Sequence, residues 1–331
     1  MMLWGRWHLM YKQVRKKSMS EVSFKMTVNF KHPIKAFALV MGGYYPLAFT
    51  PPGVVLIDRN ILSFLPNLFR PSKRHDSEAN RYWINFLNSD YYMLNPILCA
   101  LEGNTRATPT YEDIRKSFDD ACNTVKTYLP KAKLVNLNDL HFQALHQRMI
   151  DSKQLYLDES RFLIEAALLV LQRKKDRELK ETEQKLFLLC KKYNLKPASL
   201  VFLAILSCLY ESKHGKEPMI GRKIVKPSLS YNINDAHNTL SDLKALEYLA
   251  LVSLHSIGKS IFCTRDIHLA GLWCALKFES YEQNTDEVNI NYQIDSQLFP
   301  SLSESEIYEL SQRIEQNSSN NHNFLPNLKI F

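Results

Sequence analysis

Glycine is scarce in this chain, with nine among 331 residues, which excludes collagen-like, linker and other glycine-rich architectures. No C-x-x-C pair occurs, and the six cysteines at 99, 122, 190, 208, 263 and 274 are widely spaced. That spacing argues against a zinc ribbon and a secreted disulfide scaffold, and fits buried thiols in a reducing compartment. No run approaches the roughly 18 to 20 uninterrupted apolar residues of a membrane helix. The nearest, residues 36–49, is broken by two glycines and a proline. A soluble cytoplasmic protein without a membrane partner is expected. The first twenty residues carry Arg6, Lys12, Arg15, Lys16 and Lys17 and no acid, yet lack the apolar core and cleavage site of a secretion signal. A basic arm on nucleic acid, or initiation at Met19 or Met26, would each explain them.

Charge is unevenly distributed. Forty-two Lys and Arg against 34 Asp and Glu leave +8, but residues 279–331 hold nine acids and two bases. The first 278 residues therefore stand at +15, which favours a polyanionic partner through phosphate neutralisation and counterion release; a merely basic surface is the alternative. Five segments are expected: a basic one over 1–50, a core over 51–105, a helical insertion over 106–227, the rest of the core over 228–278, and an acidic, partly disordered appendage over 279–331.

Within the core, Gly53-Val54-Val55-Leu56-Ile57-Asp58 reads as a buried parallel strand ending on a carboxylate, and Ser260-Ile261-Phe262-Cys263-Thr264 as a second, followed by Asp266. Apolar spacing and caps predict helices over 76–88, 96–102, 111–128, 138–151, 158–193 with an interruption, 197–210, 238–254 and 267–278. The skeleton is α/β, with acids at the strand C-terminal ends, where open parallel sheets carry their sites.

Four acids stand out: Asp58, Glu102, Asp242 and Asp266, the third placed near the N-terminus of its helix. Such oxygen donors suit Mg²⁺ or Mn²⁺, which supports phosphodiester hydrolysis by making hydroxide available near neutral pH. The alternative is that Asp58 and Asp266 only cap the helices that follow them. Gly258-Lys259-Ser260 lacks the upstream glycine and the following helix of a phosphate loop. His141, His146, His237, His255 and His268 have no ligand spacing, and only His268, two residues past Asp266, has a position that could reach substrate. Tyr82, Trp83, Tyr91 and Tyr92 could stack bases, but core packing of Trp83 and Phe86 is the favoured reading.

The segment Val54 to Leu62, with Asp58 and Asn60, resembles the opening strand and aspartate of the PIN-domain family of metal-dependent ribonucleases. Leu98-Cys99-Ala100-Leu101-Glu102 resembles its second motif, Ser241-Asp242-Leu243-Lys244-Ala245-Leu246 its third, and Ile261 to Asp266 its closing strand with the Thr-x-Asp ending. The resemblance implies a PIN-like parallel-sheet nuclease domain in which Asp58, Glu102, Asp242 and Asp266 bind Mg²⁺ or Mn²⁺ and perform catalysis, with Asn60 and Thr264 as polar supports. Its substrate would be RNA or single-stranded nucleic acid, and an inhibitory protein partner or a homo-oligomer would be compatible with it. Two departures stand: the helical insertion after Glu102, and a long Asp242 to Asp266 interval that leaves Asp235 a rival third acid. Arg265, Lys174 and Lys175 are the bases expected to hold the phosphate backbone, although the two lysines also read as a solvated helix face. A non-catalytic nucleic-acid-binding or regulatory protein on the same fold, and a helical protein-interaction module, remain alternatives.

Overall fold

The computed structural model describes residues 34–46, 50, 52–68, 78–102, 109–211, 219–255, 260–283 and 288–319. The first 33 residues of the expected basic segment, the 69–74 connection, Gly258-Lys259 and the tail beyond 319 lie outside these. One sheet runs in the order β2-β1-β6-β3-β4-β5, with β1 Phe37–Val40, β2 Gly43–Pro46, β3 Val54–Ile57, β4 Met93–Asn95, β5 Lys133–Leu134 and β6 Ser260–Thr264. β6, β3, β4 and β5 are parallel, whereas β1 runs antiparallel to β6 and β2 returns antiparallel beside β1. Gly42, at φ +85°, takes the left-handed conformation that makes this return tight. β3 and β6 are neighbours in register, Ile57 opposite Cys263, as their apolar sequences lead one to expect.

Successive strand side chains alternate between faces and sort the core in two. Ala38, Val55, Ile57, Ile261 and Cys263 point to one face. It is covered by Ile61, Leu62 and Leu65 of α1 (Arg59–Leu68) and Trp83, Ile84 and Leu87 of α2 (Glu78–Leu87). Leu39, Leu56 and Phe262 point to the other, much thicker layer. Its chain order is α3 (Ile97–Glu102), α4 (Tyr111–Tyr128), α5 (Asp139–Asp151), α6 (Lys153–Leu169), α7 (Asp176–Lys192), α8 (Leu200–Leu209), α9 (Ile220–Val225), α10 (Ile233–His255) and α11 (Ile267–Ala275). α4 also reaches the first face through Ala121 and Val125. All ten residues of α8 are buried, the property of a helix apolar all round. α9 lies so close to it that a Cβ on Gly221 would stand 2.5 Å from the Ala204 carbonyl oxygen.

Three expectations need correction. Over its described residues, 279–283 and 288–319, the acidic segment is not a loose appendage: β7 (Leu276–Gln283) and β8 (Val288–Ile294) pair antiparallel, and α12 (Glu304–Ser319) buries Ile307, Leu310 and Ile314 in the thick layer. That i, i+3, i+7 stripe docks an acid-rich helix whose Glu304, Glu306 and Glu309 stay in water. The helix expected to reach residue 278 ends at Ala275, where β7 takes over. α10 begins five residues earlier than its apolar period suggests, so Asp242 sits in its third turn rather than near its start. The short strands β1, β2, β4 and β5 have two to four residues each, too few to carry a readable alternation.

Candidate active site

β3 and β6 end side by side, and the residues that follow lock them together. The Asp58 amide donates to the Cys263 carbonyl at 3.0 Å, which extends the ladder by one rung. Thr264 Oγ1 donates to Asp58 Oδ2 and accepts from Asn60 Nδ2 at 3.1 Å and from the Asp266 amide at 3.0 Å. Asn60 Oδ1 accepts from the Arg265 amide at 3.1 Å, so one asparagine clamps both strand ends. Asp266 Oδ1 accepts from the His268 and Leu269 amides at 2.7 and 3.1 Å, capping α11. The cap role weighed for Asp266 is therefore real, and it leaves Oδ2 uncommitted to the helix.

The other two acids approach from the thick layer. Burial first, and then the charges of Asp58, Asp266 and Glu102, push the Asp242 carboxyl up to about 8 against the pull of Lys226. Burial likewise lifts Asp58 to about 6, against hydrogen bonds from Thr264 and Asn60 and with Asp266 adding to the rise. Glu102 is also raised, first by burial and then by Asp58, while Arg59, 3.5 Å away, pulls it down. Asp242 thus lies within electrostatic reach of the other three acids, and Asp58 within reach of Asp266 and Glu102, and their repulsion is the condition that a bound cation relieves. Hard oxygen donors with no sulfur among them fit Mg²⁺ or Mn²⁺. Among the described residues, however, no group of three or more His, Cys, Asp or Glu side chains is closed tightly enough to hold a metal ion.

Asp58, Glu102 and Asp242 line a cavity of about 200 Å³. The rest of its wall comes mainly from α3, α5, α6 and α10 and includes residues to which sequence reading assigned no role, among them Tyr156, Ser241, Lys244 and Tyr248. His237, read as an ordinary surface or core histidine, also lines it, and its Nδ1 hydrogen-bonds the Tyr156 hydroxyl. Lys244 Nζ is held at 3.1 Å from Glu159 and 2.9 Å from Glu247. Burial opposes its charge, but those two acids outweigh it and hold the ammonium above the usual lysine range. Burial pushes Glu159 up to about 7 against the pull of Lys244. The signal that could have found the α10 residues is their spacing: His237, Ser241, Ala245 and Tyr248 recur at four, four and three positions on one face.

The remaining expected residues lie elsewhere. Asp235 Oδ2 accepts from the Asn232 amide at 2.9 Å, a cap at the start of α10, and Asp235 does not line the cavity. Arg265 lays its guanidinium over the Phe64 ring at 3.4 Å on the thin face, with Nε buried and unbonded. Lys175 opens α7, its amide donating to Glu178 at 3.2 Å, and Lys174 stands in the field of Glu181. The cations that do line the cavity are Arg59, Arg148, Lys153 and Lys244.

All six cysteines are free thiols, and no helix among the described residues is long and apolar enough to cross a membrane. Comparison with protein-family models, with curated proteins and with solved structures finds no match for this chain.

Proposed function

We propose that the protein is a PIN-like, metal-dependent endoribonuclease that hydrolyses phosphodiester bonds in RNA or other single-stranded nucleic acid in the cytoplasm. The observation that carries this reading is the pair of adjacent parallel strands ending in Asp58 and Asp266, clamped through Asn60 and Thr264, with Asp242 and Glu102 in electrostatic reach. Asp58, Glu102, Asp242 and Asp266 would hold Mg²⁺ or Mn²⁺. The bound cation supplies Lewis acidity at the phosphoryl oxygen and a hydroxide near neutral pH.

The chain's own residues prepare that chemistry. Thr264 and Asn60 aim the Asp58 carboxylate, since each donates to or supports one of its oxygens through the strand-end clamp. Asp242, with its carboxyl near 8, keeps its proton at neutral pH until positive charge arrives, so loading the site releases a proton and weakens as pH falls. Arg59 offsets part of the Glu102 charge and faces the same cavity as the acids.

A labelled single-stranded RNA incubated with the protein in Mn²⁺, in Mg²⁺ and in EDTA tests the reading. Cleavage is expected with metal and is expected to vanish in EDTA and in Asp58→Asn. Cutting that persists unchanged in EDTA, or no cutting of any RNA with either metal, would remove it. The absence of a closed ligand group among the described residues favours a second reading, a non-catalytic nucleic-acid-binding protein on the same fold. That protein would retain the RNA in the same metals and leave it intact.

A further inference from the structure

We propose that the cavity beside the acids is a nucleoside pocket, which takes one unstacked base and its ribose from the strand whose phosphate meets the carboxylates. The proposal deepens the nuclease reading and rests on it for the class of ligand. The first argument is size. A cavity of about 200 Å³ holds on the order of fifteen water-sized groups. That is the scale of a base with its sugar, and too small for a base pair.

The second argument is chemistry. Leu98, Leu145, Met149 and Tyr248 supply apolar and aromatic wall, while the Tyr156 hydroxyl, His237 and Ser241 supply a few polar groups among them. Apolar surface with a small number of placed polar groups is the make-up of a small-molecule site, and it matches the flat faces and hydrogen-bonding edge of a base. The polar groups are held by their neighbours: Tyr156 by His237, and Lys244 between Glu159 and Glu247.

The third argument is charge. Arg148 near the end of α5 and Lys153 at the start of α6 line the cavity and have exposed side chains, so they can meet phosphates on either side of the inserted nucleoside. Through these two helices the insertion selects single-stranded substrate, because only an unpaired base can leave its stack and enter.

Adenosine and uridine, which carry no phosphate to be repelled by metal-free acids, are the probes. Binding to the full chain in EDTA is followed by ligand-observed NMR, with Ala245→Phe and Met149→Trp as variants that fill the cavity. Ala245 lies three residues past Asp242 on α10 and lines the same space. We expect at least one nucleoside to bind, and each filling variant that melts near the parent temperature to weaken it about tenfold or more, the size of one lost base–aromatic stack. Arg148→Ala combined with Lys153→Ala changes only exposed side chains and should weaken the matching nucleoside 5′-monophosphate while sparing the nucleoside. Absence of binding by either nucleoside, or binding unchanged in the filled variants, overturns the pocket. Nucleoside binding needs neither metal nor bond cleavage, so a protein that binds in this pattern without cutting RNA loses only the nuclease reading. Conversely, cutting at the parent rate by Ala245→Phe removes only the pocket.

Discussion

The two faces of the sheet are built from different materials. On the thin face, Val55, Ile57, Ile261 and Cys263 meet Ile61, Leu65, Trp83 and Leu87, and the one buried polar side chain of α1 and α2 is Asn80, which accepts from Trp83 Nε1. On the thick face, Glu159, Glu183, Glu211 and Lys244 are drawn into the helical layer, each with an opposite charge beside it. Glu211 receives Arg173 and Arg222 at 3.1 and 2.8 Å, and Glu183 receives Arg313 of α12 at 2.7 Å. The contrast teaches where this fold carries its polar chemistry. Apart from the Arg265 guanidinium over Phe64, the face that only has to hold the sheet is filled with hydrocarbon, whereas buried carboxylates persist where partners match them, and there the cavity opens.

The contrast is broken most severely at the acids. Asp58→Asn and Asp242→Asn should each reduce metal-dependent RNA cleavage to background while the protein remains folded, measured by single-turnover assay beside a thermal melt. Loss of fold in both would mark the acids as structural instead.

Next in size is the removal of one matched charge from the thick face. Glu211→Ala leaves the half-buried Arg222 on the Val170 and Leu171 carbonyls without its carboxylate and should cost about 3 kcal/mol, the low end for a buried pair. Denaturant unfolding measures this, and a cost under about 1 kcal/mol would show that the pair is solvated rather than buried.

On the thin face the same measurement on Leu65→Ala should read about 2–5 kcal/mol, with the lower end if α1 settles into the gap. Gly221→Ala should cost about 1–3 kcal/mol, because α9 must withdraw from the Ala204 carbonyl, the Cys208 amide and Ser207 Cβ of α8, none of which can swing aside. A neutral Gly221→Ala would mean that the two short helices slide freely.

The smallest effect is on pH dependence. Asp242 binds its proton more tightly folded, near 8, than at its ordinary 3.8. Between those values the folded state holds the extra proton, so this group makes the metal-free protein less stable as pH rises from about 4 to 8. Asp242→Asn in EDTA should therefore raise the melting temperature by a few degrees at pH 8 and by little at pH 5. An equal change at both values would place Asp242 outside the repelling group.

Much of the local architecture was legible. The caps and apolar period marked α4 over Tyr111–Tyr128 and α5 to within a residue, since both signals lie inside the helix itself. All of α12 was missed, because acidic, Asn and Ser residues cover the exposed side of a helix anchored only by Ile307, Leu310 and Ile314. Asp235 and Asp242 were harder to separate. Both belong to α10, and only the packing of that helix against β6 distinguishes a cap from a carboxyl pressed toward Asp58.

By itself, then, the sequence determined the α/β alternation, the parallel apolar strands that end on Asp58 and precede Asp266, and most helices, because each is written in neighbouring residues. The tertiary structure alone decided that Thr264 would meet Asp58 across 206 positions, that Asp242 would enter from the third turn of α10, and that α5, α6 and α10 would enclose a cavity. Those outcomes depend on which helix faces are buried against which partner, and such pairings have no signature within any one segment.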